Sequence, residues 1–550
     1  MKQNKPLYFA WIFLTALLVY SWIRISQLTG GHFCYSLDDA FIHMAVAKNF
    51  GLHGVWGITP DAYGSASSSP LFTVILAIIF RTGVNGYMVG FWINVVAAYW
   101  LLYSVHRVLL KYAMPATGRL LVLFSLIILL PFTVIILTGM EHLLHLWFSL
   151  LFLQTVVEMI SEDRISTKQM LLSGAYGALM VGARFEALFL LGAAGLLLLY
   201  FRKIKVALIM GILAVLPVVL FAVISVAYGG YILPNSVLLK SSGGAAGPGS
   251  MAQALQEVLI YRLMYGNSTV QGLFHSDASK AYASSISGTS LIRVLIIVPV
   301  LVLLVKAKGA GARAQQAMYF GIVLTIACAL HMALAAVGWM FRYEAYLVGL
   351  AIISIALLLW SIWPQVVSWY QGIGLPQKAI LCLLLFFAGS PFLARAVAGY
   401  RVQHRACRNI YEQQVQMGTF LKQYYGGVSV AANDIGAVSF LSDSRIMDVW
   451  GLGNNEIARS KLTGTYSNDY LKTFLNKEGV KVAVIYKDWY GPALYNKWTE
   501  VGSWAIQDNV VCADRIVHFF ALDSTDAPAL RKHLEAFKAS LPASVEAKVY

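Results

Sequence analysis

Long apolar runs separated by short basic loops dominate the chain. A membrane-spanning helix needs about 20 mostly apolar residues. Runs of that kind are centred on 7–27, 87–108, 118–138, 142–160, 168–183, 186–201, 205–227, 291–306, 317–338, 344–363 and 378–396, which predicts about eleven spans. The run at 70–80 is too short and reads as a re-entrant or interfacial helix. Beyond 400 the apolar runs shrink to strand length, at 428–432, 446–450, 480–486 and 517–522, with helical stretches between them. That pattern predicts a small α/β domain. The expected architecture is a polytopic α-helical membrane module over 1–398, with outer loops 28–70 and 228–290, followed by an α/β domain over 399–550.

Charge tests the threading. With the N-terminus in the cytoplasm, every inner loop carries cations: Lys2 and Lys5; Arg107, Lys111 and Arg119; Arg164 and Lys168; Arg202, Lys203 and Lys205; Lys306, Lys308 and Arg313; and Lys378. Counting 70–80 as a span would put Arg107, Lys111 and Arg119 outside. The same threading puts the C-terminal domain on the outer side, which is the periplasm if the source is a bacterium. The predicted location is therefore the inner (plasma) membrane, with membrane lipid as a partner. The first run follows Met1-Lys-Gln-Asn-Lys5 without a convincing cleavage site, so it reads as a retained helix.

Composition agrees with this and narrows it. Of 550 residues, 59% are hydrophobic and only 12% are charged, far from the balance of a soluble domain. The net charge of +15 sits largely in the loops and is explained by topology, so no nucleic-acid partner is expected. The five cysteines are scattered, without metal-ligand spacing.

The densest chemical signal is Tyr35-Ser-Leu-Asp38-Asp39-Ala-Phe-Ile-His43-Met-Ala-Val-Ala-Lys48-Asn49, just after the first span. Asp38 is placed to cap an amphipathic helix lying along the membrane face. Alternatively, a carboxylate at this boundary takes a proton from an acceptor hydroxyl. The adjacent carboxylates of Asp38 and Asp39 are also candidate ligands for a divalent cation such as Mg, Mn or Ca; no other cofactor is indicated. The hydroxyl-rich Tyr63-Gly-Ser-Ala-Ser-Ser-Ser-Pro70 comes next, suited to sugars or to capping the next helix.

Other polar groups recur at the outer ends of spans: Thr138-Gly-Met-Glu141-His142, Arg184-Phe-Glu186, Tyr228-Gly-Gly-Tyr-Ile-Leu-Pro234-Asn235-Ser-Val-Leu-Leu-Lys240, and Trp339-Met-Phe-Arg342-Tyr343-Glu344. Local ion pairs, Arg184 with Glu186 and Arg342 with Glu344, or snorkelling would account for some of them. His142 and His145 read as packing residues. The Gly/Ser stretch at 241–250 is either a lid or a plain linker. All these groups fall on the side of Asp38 and Asp39, although the threading rests on apolar runs and loop cations alone. A cavity of acids and cations at a membrane surface suits a lipid-linked phosphate, because Arg and Lys neutralise it while a carboxylate activates the nucleophile.

The Asp38-Asp39-Ala-Phe-Ile-His-Met-Ala-Val-Ala-Lys-Asn stretch resembles the first outer loop of GT-C membrane glycosyltransferases, especially their arabinofuranosyltransferase-like branch. So do 138–141, Arg184-x-Glu186, Tyr228-Gly-x-x-x-x-Pro234-Asn235-Ser with the later Lys240, Arg342-Tyr343, and, in the tail, Ala431-Ala-Asn-Asp434-Ile-Gly436-Ala437, Asp448-Val-Trp-Gly451 and Glu456-Ile-Ala-Arg459. The order is kept along most of the chain. Phe185 replaces a common proline and Trp450 a smaller apolar residue, so sugar or acceptor departs from the arabinose case. The resemblance implies an inverting glycosyltransferase that moves a hexose or pentose from a polyprenyl-phosphate donor to a cell-envelope glycan or glycolipid on the outer face. It implies a first-loop aspartate as base, with Asp38 the favoured choice and Asp39 orienting the acceptor or a metal. Glu141, Arg184, Glu186, Asn235, Lys240, Arg342 and Tyr343 become its substrate-binding residues. The alternatives are a transporter or flippase of lipid-linked sugars, which would place polar groups mid-membrane, and a non-catalytic assembly protein whose tail binds wall polymers. Asp434 and Asp448 sit near strand ends, where turn roles are expected.

Overall fold

A computed structural model describes residues 2–84, 86–241, 278–309 and 311–550, with Lys2, 240–241 and 278–284 described by backbone alone. Residues 242–277, and with them nearly all of the Gly/Ser stretch and most of the second outer loop, lie outside the described residues.

Among the described residues, 7 helices are long and apolar enough to cross a membrane: Lys5–Leu28, Val89–Lys111, His142–Ser161, Ile204–Ala227, Ser285–Lys308, Ala312–Leu334 and the continuous Leu375–Tyr424. An eighth is the pair Ala345–Ser361 and Trp363–Gly372, bent by 71°. Pro364 opens its second half, where a missing N–H and a fixed φ favour a helix start over a continuation. The remaining predicted spans are helical but shorter. The 118–138 run breaks into Ala116–Leu129 and Phe132–Leu137 around Pro131. Thr167–Ala183 and Ala187–Tyr200 are separated by the extended Arg184. The 70–80 run forms Pro70–Arg81, whose 12 residues fall short of a bilayer core.

Side-chain exposure follows the lipid expectation. Ile204–Ala227 turns Ile212 and Val223 outward, at 66% and 63% exposure. In an aqueous protein such a face would be a liability; in hydrocarbon it is the preferred surface.

The C-terminal domain has six strands: β1 (Ser429–Ala432), β2 (Arg445–Asp448), β3 (Val482–Ile485), β4 (Thr499–Ala505), β5 (Ile516–Ala521) and β6 (Glu546–Val549). Their order is β2-β1-β3-β5-β4-β6. The first three are parallel and the rest pair antiparallel. The period of two in side-chain direction separates two cores. Val430, Val482, Val484 and Phe519 join Phe420, Trp504, Leu534 and Phe537 on one face. Ala431, Ala483, Ile485 and Phe520 join Ile457, Leu471 and Phe474 on the other. Four strands match the predicted runs. Two were not predicted, for physical reasons. In β4, Thr499-Glu-Val-Gly-Ser-Trp-Ala mixes polar positions and its register shifts between Glu500 and Gly502. In β6, Glu-Ala-Lys-Val is a charged, half-exposed edge.

No flexible linker joins the two parts. Leu375–Ile410 runs through a π turn at Tyr411–Val415 into Gln416–Tyr424, which packs under the sheet. Among the described residues, Trp504 is the largest fully buried side chain. Trp504→Ala is expected to cost about 3–5 kcal/mol, lowering the C-terminal domain's thermal transition while leaving the membrane helices' circular dichroism in place.

Candidate active site

The first outer loop enters its helix with Ser36 N–H donating to the Leu137 carbonyl at 2.9 Å. The next helix, Asp39–His53, was expected to be amphipathic. Instead Ala40 through Ala47 are all buried, because Pro70–Arg81 packs on one side and Gly436–Leu441 of the C-terminal domain covers the other. Asp38 does cap a helix, but not its own: it makes no side-chain cap bond to Asp39–His53. Its carboxylate accepts from the Gly436 N–H at 2.6 Å and the Ala437 N–H at 2.8 Å, at the start of Gly436–Leu441. Burial pushes the Asp38 carboxyl well above the ordinary carboxylate range and the charge of Asp434 adds to this, while the two amides pull it back.

Asp434 is held in turn by Gln414 Nε2 at 2.7 Å and the Tyr486 hydroxyl at 2.9 Å. Gln414 reaches it because it lies on the π turn, a distortion common at functional sites. The signal for this network was weak, since Gln414 and Tyr486 carry no charge.

Asp39 points the other way. It pairs with Arg342 Nη2, and its side chain is 26% exposed against 1% for Arg342. Arg342 also reaches Met140 Sδ at 2.8 Å and the Tyr343 hydroxyl at 3.2 Å. The turn that delivers it, Trp339-Met340-Phe341, has φ of 41°, 56° and 59°. Bulky residues adopt the left-handed region only at a cost, of about 1–3 kcal/mol each, so surrounding packing must hold this turn in place.

A second cation lies beside the first. Arg184 bonds Glu141 Oε1 at 2.7 Å and grips Glu186 through both carboxylate oxygens, at 3.1 and 2.6 Å. Both guanidinium groups face the Tyr343 ring, at 5.6 Å for Arg184 and 4.9 Å for Arg342. His43 Nε2 stands 3.7 Å from Glu141, and its Nδ1 meets Ser67 Oγ at 3.0 Å. Burial pushes the His43 imidazole below its ordinary range, against the pull of Glu141, so it is neutral at pH 7.

Asn235 ties the second outer loop in. Its N–H donates to the Ser65 carbonyl at 3.0 Å and its Nδ2 donates to Asn455 Oδ1 at 2.8 Å. Lys240 lies on the same helix, Asn235–Ser241, and its side chain is outside the described residues.

The structure thus gathers Asp39, Glu141, Arg184, Glu186, Arg342 and Tyr343, with Asp38 and Asn235 at the seam to the C-terminal domain. The expected Arg342–Glu344 pair does not form. Glu344 instead meets Arg395 Nε at 3.0 Å, Ser287 Oγ at 2.6 Å and the Gly338 N–H at 2.9 Å. Arg395, inside the last apolar run, was missed; a cation there was itself the available signal. His145 packs on Tyr346, 4.4 Å between ring centroids. Asp448 takes the turn role expected for it, accepting from the N–H groups of Trp450 (2.8 Å), Gly451 (2.9 Å) and Gly453 (2.6 Å). Asp38 and Asp39, the candidate metal ligands, are aimed at different partners, and among the described residues no group of three or more His, Cys, Asp or Glu could hold an ion.

The fold is similar to that of ArnT from Cupriavidus metallidurans bound to undecaprenyl phosphate, at 12% identity and a TM-score of 0.50, covering 94% of this chain and 98% of ArnT. The chain therefore has the GT-C fold and is a multi-pass membrane protein. Other similar structures are the oligosaccharyltransferase AglB from Archaeoglobus fulgidus in complex with an inhibitory peptide and a dolichol-phosphate (12% identity, TM-score 0.46, covering 94% of this chain and 74% of AglB) and arabinofuranosyltransferase AftD from Mycobacteria (13%, 0.46, 93% and 41%). Residues 408–520 match a family described as a domain of unknown function, DUF8728. No curated protein sequence matches the chain.

At Gly436 a Cβ would land on the main-chain oxygen and carboxylate of Asp38. Gly436→Ala is expected to break the two amide bonds to Asp38, worth about 0.5–1.5 kcal/mol each, and to expose the domain seam to limited trypsin digestion; protection equal to wild type would contradict this. Lys461 gives a pH test. Its ammonium lies 3.5 Å over the Trp450 ring, and burial lowers it to about 8, with Asp448 pulling it back up. Reductively methylated protein should show one lysine ¹³C signal titrating near pH 8, and Asp448→Asn should move that midpoint lower still.

Proposed function

We propose that this chain is an inverting glycosyltransferase that moves a sugar from a polyprenyl-phosphate donor to a hydroxyl of a cell-envelope glycan or glycolipid. The reaction would take place on the outer face of the plasma membrane, with the N-terminus cytoplasmic and the C-terminal domain outside, an orientation that the basic loops favour. One observation carries the reading: a partly exposed carboxylate, Asp39, sits against a buried guanidinium, Arg342, beside the Arg184 cluster where several helices begin. The shared fold with a structure bound to undecaprenyl phosphate supports a lipid-phosphate donor.

The base in this mechanism is Asp39 in place of Asp38. Asp38 is buried at the domain seam and committed to the Gly436 and Ala437 amides, whereas the Asp39 side chain keeps 26% of its surface open to an arriving hydroxyl. Arg342 holds the Asp39 carboxylate in position through its ion pair. As the acceptor hydroxyl loses its proton to Asp39, its oxygen attacks the anomeric carbon from the face opposite the phosphate. The carbon–oxygen bond to phosphate breaks, the configuration inverts, and polyprenyl phosphate leaves with the electron pair. Arg342, Arg184 and Lys240 neutralise that growing charge, while Glu141 and Glu186 hold Arg184 in place. Arg is suited to this because its fork matches phosphate geometry.

Purified protein in lipid nanodiscs, given polyprenyl-phosphate sugars and a panel of glycan acceptors, should catalyse transfer. Asp39→Asn should lower kcat by about 10²–10⁴-fold. Asp38→Asn should act mainly through the domain seam and show up in proteolysis. Full turnover by Asp39→Asn would rule it out as base. Movement of lipid-linked sugar across the bilayer without transfer would replace the enzyme by a transporter.

A further inference from the structure

Two open cavities differ sharply in chemistry. One, of about 580 Å³, lies along the last membrane helix and is lined mainly by apolar groups such as Phe341, Phe386, Leu393 and Val397. The other, of about 450 Å³, is in the C-terminal domain and is lined by Asn455, Glu456, Arg459, Thr463, Thr465 and Tyr470. Its volume lies within the ~300–1,000 Å³ of small-ligand sites, but its walls are polar where such sites are usually apolar.

The local sequence builds this polar wall. Asn454 caps Asn455–Leu462 by accepting from the Glu456 and Ile457 N–H groups, at 2.9 and 3.1 Å. Ile457 and Ala458 then turn into the core, which sends Asn455, Glu456 and Arg459 outward on the opposite face. Tyr470, on Asn468–Lys477, closes the far side, with its hydroxyl 3.3 Å from Glu456 Oε1. The lining carries one guanidinium and one carboxylate, with Glu456 also paired to Lys477 Nζ at 3.6 Å at the rim, so no concentrated charge of either sign selects an ionic ligand. Amides and hydroxyls supply donors and acceptors together, and the tyrosine ring offers an apolar face. That combination fits a neutral polyhydroxylated ring.

The cavity is also tied to the reaction centre. Asn455 Oδ1 accepts from Asn235 at 2.8 Å, and Arg459 Nη2 donates to the Gly229 carbonyl at 2.9 Å. Asn235 bonds Ser65, in the segment whose Ser67 holds His43 beside Glu141. The cavity is therefore linked, through Asn235 and the Ser65–Ser67 segment, to the His43–Glu141 side of the charged cluster.

We infer that this cavity is an acceptor subsite: it binds a neutral sugar unit of the acceptor glycan behind the hydroxyl that reacts. The inference rests on the glycosyltransferase reading for its role in transfer, but not for sugar binding itself. The test uses full-length protein in nanodiscs with linear arabinan, galactan, mannan and glucan oligosaccharides, from disaccharide to hexasaccharide. Binding is read by native mass spectrometry and transfer by steady-state kinetics. Arg459→Ala and Tyr470→Ala are expected to weaken hexasaccharide binding and raise its KM about tenfold, equivalent to one or two lost hydrogen bonds. The KM of a disaccharide too short to span both sites should move less than twofold. Thr463→Val with Thr465→Val removes hydroxyls at nearly constant volume and serves if the alanine variants unfold; it should move the hexasaccharide in the same direction. Wild-type transfer with hexasaccharide KM unmoved in all three variants would overturn the subsite and leave the transferase standing. Wild-type binding lost in the variants, with no transfer from any donor, would keep the subsite and overturn the transferase. No oligosaccharide binding by wild type would overturn the subsite.

Discussion

Two backbone amides closing on one carboxylate hold this molecule together. Gly436 and Ala437 donate to Asp38, joining the C-terminal domain to the first outer loop. Asp39 is the next residue along the same chain. When Asp38 is fixed, the start of Asp39–His53 is fixed, and the Asp39 side chain is turned away from the domain toward Arg342. The bond works because a short helix presents unsatisfied N–H groups at its start and because glycine leaves room for the carboxylate to approach. The domain thus walls the charged cluster, and adjacent acids meet opposite surroundings: Asp38 is buried at the seam and Asp39 is partly exposed beside Arg342.

The second constraint is the cost of placing charges near hydrocarbon. Unpaired, they would be unaffordable. The chain pairs them instead, Arg184 with Glu141 and Glu186, Arg342 with Asp39, and Arg395 with Glu344. Arg395 and Glu344 are both fully buried, which suits a fixed structural link. Asp39 keeps a partly open face, which suits an arriving substrate. Exposure therefore separates a pair sealed inside the bundle from a pair with one open side.

Much of this was legible in the sequence. Charged residues at the outer ends of apolar runs stand out because membrane helices rarely carry them, so Asp39, Glu141, Arg184, Glu186 and Arg342 were found, and the structure gathers them. The partners of those residues were less visible. Arg342 stands next to Glu344 but one residue apart, not on one helix face, and the turn at Trp339–Phe341 sends it to Asp39 instead. Asp38 finds its amides 398 and 399 positions along the chain, a pairing that no local pattern encodes. Two strands were hidden for a related reason: β4 carries a register shift and β6 a charged edge, so neither shows the alternation on which strand reading depends.

The unbroken helix from Leu375 to Tyr424 makes the molecule a matter of phase. Each residue in an α-helix rotates its successor by about 100° and advances it about 1.5 Å. One residue inserted between the bundle and the sheet would swing Gly436 away from Asp38, while a whole number of turns would keep its bearing but lift it off. Recombination between relatives at this helix would then yield working hybrids only when the junction preserves its register, as interlocking gears accept only a matching tooth.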